Sequence, residues 1–131
     1  MILRIINFSL LILLSDFVIA ADNYRCHTLG YYELQESGLL KKIKANGSQF
    51  KTFTVNSKTG EYKLINFDSG TLKIFKQGDS ENSFLAIKPE SSSSYGWQLK
   101  IGEYVDSKKK PFVISKIFLL GQIYTGWCGK Y

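Results

Sequence analysis

Beyond Cys26 the chain alternates apolar and polar residues with a period of two. Trp97, Leu99 and Ile101 fall on one side of a strand while Gln98 and Lys100 fall on the other, as successive side chains do on a pleated ribbon. Thr71 to Lys76 alternates in the same way until Gln77 to Asn82 interrupts it. Phe50 to Val55 is rich in aromatic and branched residues and stops at Asn56-Ser57-Lys58-Thr59-Gly60, a turn ending in glycine. Glu61 to Phe67 resumes the strand pattern, and Asp68-Ser69-Gly70 breaks it. Ser83 to Lys88 ends at Pro89, which has no amide to offer a ladder. Phe112 to Leu120 is the most apolar run after residue 20 and reads as a central strand. Gly121 then permits a bend before Gln122 to Trp127.

The remaining segments read less uniformly. Gly30 to Leu34 is a strand leading through Gln35-Glu36-Ser37-Gly38 to Leu39 to Ile43. Leu39, Leu40 and Ile43 also share one side of a 3.6-residue period, but Gly38 before them and Asn46-Gly47-Ser48 after leave room for only two helical turns. A strand is the favoured reading. Glu90 to Gly96, with serines at 91 to 94, has little to bury and reads as an exposed loop. Asp106 to Pro111 is a charged turn.

Turn signals recurring about every 8–12 residues give the all-β rhythm. The pattern predicts eight or nine strands in a small antiparallel meander, curled into a closed or nearly closed barrel, with a two-sheet sandwich as the alternative architecture. Short turns favour pairing between neighbours, and closure removes exposed sheet edges.

The first twenty residues read differently. Arg4 supplies a positive end, Ile5 to Leu14 a mostly apolar core, and Val18-Ile19-Ala20 a small-residue exit before Ala21. This predicts a signal peptide over 1–20 and a single β-rich exported domain over 21–131, periplasmic or extracellular. A membrane anchor would need about 20 uncharged apolar residues. Arg4 and Asp16 bound a shorter stretch that also contains Asn7, so no stable span is expected once the leader is cut.

Export changes the meaning of the two cysteines. In an oxidising compartment Cys26 and Cys128 are expected to pair, which requires the first and last strands to bring their Cα atoms within about 7 Å. Neighbouring terminal strands in a curled sheet meet that demand. His27, the one histidine, cannot complete a tetrahedral set with Cys26, so no metal site is expected, and no cofactor motif occurs.

The net charge of +6 favours acidic partners and does not bear on fold. Nucleic acid is disfavoured because the charge is nearly all lysine, Arg25 being the one arginine after the leader. A Cys26/His27 nucleophilic pair is also disfavoured, since strand neighbours point to opposite faces; His27 reads as a surface or strand-edge residue. Lys108, Lys109 and Lys110 form a compact positive tip able to steer association. Tyr95 in the serine loop and Tyr131 at the chain end are of a residue type that anchors interfaces, whereas Trp97 fits the inward pattern.

With its early Tyr24-x-Cys26, late Cys128 and β-rich body, the chain resembles the small exported inhibitors of lysozyme in size class and architecture. Their serine-alanine-serine-glycine loop has no counterpart here, the nearest segment being Ser91 to Gly96, so no functional residue carries over. The resemblance implies a protein that binds, and in one form blocks, another exported protein.

The expectation is therefore non-enzymatic binding of an exported or surface macromolecule, an inhibitor of a secreted enzyme being one form. The alternatives are a small-ligand carrier with a pocket at the barrel mouth and a hydrolase using turn carboxylates such as Glu61, Asp68, Asp79, Glu81 and Glu103.

Overall fold

The computed structural model describes residues 22–44, 50–65, 68–92, 95–116 and 121–131. The expected leader at 1–20, the Asn46-Gly47-Ser48 boundary and the 117–120 end of the Phe112 run lie outside the described residues. Among the described residues ten strands follow one another: β1 (Asn23–Leu34), β2 (Leu40–Ile43), β3 (Thr52–Asn56), β4 (Glu61–Leu64), β5 (Ser69–Thr71), β6 (Lys73–Gln77), β7 (Phe84–Lys88), β8 (Trp97–Ile101), β9 (Lys110–Lys116) and β10 (Gln122–Lys130). All pair antiparallel in one sheet ordered β5-β4-β3-β1-β10-β9-β8-β7-β6, with β2 beside β1. No helix occurs among the described residues, and none there is long and apolar enough to cross a membrane.

Ten strands occupy eight places around the sheet. One edge of β1 pairs β10 from Tyr24 to Glu33, while its other edge pairs β3 along Asn23 to His27 and β2 along Tyr31 to Leu34. β5 and β6 likewise flank a single residue, Leu72, and pair in opposite directions, β5 with β4 and β6 with β7. The two ends of the sheet are therefore consecutive in the chain, and the sheet curls into a nearly closed barrel. A strand forms at Leu40–Ile43, within the segment expected to be one; Ser69-Gly70 lies in β5 rather than in a turn, because the chain must continue along β4 to reach the seam.

A polar clasp spans that seam. Asp68 accepts hydrogen bonds from the Tyr62 hydroxyl on β4 (3.0 Å) and from Lys88 Nζ on β7 (2.9 Å). Lys88 holds the Asp68 carboxyl below the ordinary carboxylate range. Burial pulls the Lys88 ammonium down, yet Asp68 and Tyr62 outweigh it and the net displacement is upward.

The interior is filled by rings. A chain of near-perpendicular contacts runs from Phe112 to Phe53 (5.3 Å), Phe50 (6.0 Å), Trp97 (5.1 Å) and Tyr62 (5.1 Å), crossing the barrel from β9 to β4. Leu99, Ile101, Ile114 and Val55 complete this core and are fully buried. Each such side chain contributes about 1.5–3 kcal/mol relative to exposure.

Cys26 and Cys128 are directly opposed on β1 and β10 and joined by a disulfide, with Cα atoms 4.0 Å apart and a sequence separation of 102. Both are fully buried. Next to the bridge the strands approach so closely that a Cβ on Gly126 would lie 1.9 Å from the His27 carbonyl oxygen. Beyond it a β-bulge between Thr28 and Gly30 pushes Leu29 outward, and a matching bulge in β6 does the same to Phe75.

Two predictions follow from the tie and the clasp. Cys128→Ser should lower unfolding free energy by a few kcal/mol, bounded by the roughly 4–5 kcal/mol chain-entropy value for a loop of this length; urea melts of the oxidised parent and the variant measure it. Because Asp68 titrates lower in the folded chain than unfolded, its stabilisation is complete above the ordinary aspartate pKa and is lost as pH falls below about 4. Asp68→Asn should therefore be less stable than the parent at neutral pH, with the gap narrowing in acid melts.

Candidate functional site

Inward-pointing Cys26 and Cys128 force their strand neighbours outward. Trp127 and His27 consequently lie side by side on the outer face of β10 and β1, their ring centroids 4.5 Å apart. The row continues to Pro111 on β9 and Thr52 on β3. One place along, Arg25 sits opposite Gly129 and Thr54, and its guanidinium lies 4.3 Å above the Tyr131 ring. Lys109 Nζ lies 4.8 Å above Trp127. Each such cation–ring contact is worth about 0.5–1 kcal/mol at an exposed site, enough to bias a side chain's position. A concavity of about 350 Å³ adjoins this face, lined by Arg25, Thr52, Thr54, Lys63 and Ile65 among others.

The loop between β8 and β9 completes the face, and it is braced from within. Gly102 N–H donates to Pro111 O (2.8 Å), Val105 N–H to Gly102 O (3.1 Å) and Ser107 N–H to Val105 O (2.9 Å). Lys110 Nζ donates to the carbonyls of Glu103 (3.1 Å) and Val105. The Glu103 carboxylate turns inward, accepting from the Tyr24 hydroxyl and pairing with Lys130 Nζ at 2.9 Å. Burial first, and then this bond to Glu103, push the Tyr24 hydroxyl well above the usual phenol range. What remains on the outside is Tyr104, half exposed, together with Asp106, Ser107, Lys108 and Lys109.

The five residues singled out from sequence do not form one cluster. Lys108, Lys109 and Tyr131 share the barrel end where β8 finishes and β9 starts. Lys110 begins β9 instead of sitting on the tip, and its ammonium is spent on holding the loop. Tyr95 precedes β8 and so lies at the opposite end, half exposed. Trp97 is buried, as its alternation predicts. His27 is on the surface of a central strand, because β1 is flanked on both sides. The turn carboxylates are dispersed: Asp68 belongs to the seam clasp, Glu103 to the loop brace, and Asp79 accepts the Glu81 and Asn82 amides of its own turn (both 2.8 Å).

Trp127 and Arg25 are the residues that the sequence reading missed. Parity alone would have found them, since each is an odd number of places from a cysteine that must face inward. No protein-family model, curated protein or solved structure matches this chain; the reading of this face rests on its own geometry.

Lys110→Met should loosen the 102–109 loop while leaving the barrel folded. The expected readout is faster amide exchange confined to that loop, with the aromatic circular dichroism of the core unchanged.

Proposed function

We propose that this chain is an exported, non-enzymatic binding protein that engages the acidic surface of another exported macromolecule through the face built by the 102–109 loop, β10 and β1. The observation that carries the reading is Trp127, turned outward between His27 and Lys109 and beside the Arg25–Tyr131 pair. Tryptophan, tyrosine and arginine are the residue types that dominate binding energy when a partner covers them. The net charge of +6 supports steering toward an acidic partner. The braced loop supports the reading in a different way: a surface already held in shape loses less conformational freedom on binding.

Two features favour a site of action outside the cytoplasm. Residues 1–20 have the layout of a cleavable leader, and a bridge between strands 102 residues apart in sequence is of the kind that persists in oxidising surroundings. An inhibitor is the special case in which the acidic surface rims the active-site cleft of a secreted enzyme.

Binding to proteins of the exporting cell's medium tests this. The immobilised parent should retain an acidic protein whose association rate falls as salt rises. Lys108→Glu combined with Lys109→Glu should slow association by about tenfold or more, and Trp127→Ala should speed dissociation. Equal retention by the parent and by both variants would refute the reading.

A further inference from the structure

The two ends of the barrel treat their inward lysines differently. At the loop end Lys110 and Lys130 are both satisfied, by backbone carbonyls and by Glu103. At the other end, register sets Lys88, Trp97, Lys116, Gln122 and Glu33 side by side across β7, β8, β9, β10 and β1. Each stands two residues from an inward member of the next layer, respectively Ala86, Leu99, Ile114, Tyr124 and Tyr31. The five therefore form the inward rim of a mouth.

Below the rim the floor is aromatic. Phe50 contacts Trp97 (5.1 Å) and Tyr124 (4.8 Å), and Tyr31 stacks on Tyr124 at 4.8 Å. Above it, Lys88 is matched by Asp68 and Glu33 accepts the Tyr31 hydroxyl. Among the described residues Lys116 is not matched. Its Nζ lies 6.0 Å from the Phe50 ring centroid, and among the described residues it makes no ion pair and no hydrogen bond. Burial, and then the charge of Lys88, lower its pKa. A half-buried ammonium beside a second one is costly unless an anion joins them. Next to Lys88, a concavity of about 230 Å³ lies toward the outer side of the same strand ends, lined by Pro89, Gly96 and Trp97 together with the outward-facing Ile87, Gln98 and Ser115 and with Glu90.

We infer that this mouth binds the oxyanion of a small amphipathic ligand, a carboxylate or a phosphate, with Lys116 as its counter-charge and the aromatic rim at Trp97 meeting its apolar body. The packed interior leaves the ligand at the rim instead of deep inside the barrel. This site is separate from the outer face at the 102–109 loop and does not depend on it.

The test uses Trp97 as reporter. In a Trp127→Phe background Trp97 is the only tryptophan, and its fluorescence and the thermal midpoint are followed during titration with benzoate, phenyl phosphate, inorganic phosphate and, at matched ionic strength, chloride. The expected result is saturable quenching and a raised midpoint with benzoate or phenyl phosphate, beyond the effect of chloride. Response to benzoate alone identifies the carboxylate source, and response to phenyl phosphate alone the phosphate source. Lys116→Met should melt at or above the parent's temperature in chloride, since it removes a poorly solvated charge, yet bind the organic anion at least about tenfold more weakly. Lys116→Arg should retain saturation. Charge reversal at Lys108 and Lys109 should leave the titration unchanged, which separates this site from the outer face. No stabilisation of the parent beyond chloride, or an equal response in Lys116→Met, would overturn the inference.

Discussion

Pairing of β1 with β10 brings the two ends of the described chain together, and the rest of the barrel is arranged around that contact. β1 spans twelve residues and β10 nine. They meet along nearly their whole length, and the disulfide fixes which residues face each other. Because a strand's side chains alternate, one fixed inward pair determines the facing of every neighbour. Tyr24 must enter the core, Arg25 and His27 must leave it, and Trp127 must stand on the outer face. The register of β3 against β1 and of β9 against β10 then carries the same parity outward through the sheet.

Closure at the opposite side is of a different kind. There the chain crosses from one sheet edge to the other through Leu72, whose amide donates to Gly60 O at 2.8 Å. Gly60 has φ of 78° and no space for a Cβ, which would meet the Leu72 carbonyl oxygen at 2.3 Å. A covalent tie at one side and a glycine-permitted crossing with a three-residue polar clasp at the other hold the same curved sheet. The aromatic chain through its centre links them physically, since Phe53 lies beside the bridge strands and Tyr62 is part of the clasp.

Much of this architecture is legible in the residues themselves. Phe53, Val55, Trp97, Leu99 and Ile101 alternate cleanly and are all buried. Asn56 shows why its turn is readable, its side-chain oxygen accepting the amides of Lys58 and Thr59 (both 2.9 Å). The bulges at Leu29 and Phe75 are not legible, because an extra residue shifts parity without changing composition. Nor are the inward lysines. A pattern reading assigns charge to solvent, so Lys110 looks like part of an exposed tip and Lys116 like a polar interruption within the apolar Phe112 to Leu120 run. Their orientation follows from Phe112 and Ile114 between them, which must be buried. The candidate face was half legible for the same reason: Lys108, Lys109 and Tyr131 stand out by type, while Trp127 is identified by its place next to a cysteine.

Burial of the bridge has one more consequence. Thiol–disulfide exchange needs a thiolate to approach a sulfur in line, and both sulfurs sit behind a complete shell of core side chains. A small reductant therefore gains access when β1 and β10 part, and the rate of thiol release in gentle reducing buffer becomes a clock for barrel breathing. Any partner or ligand that holds the strands together would slow that clock, even if it never touched the sulfurs.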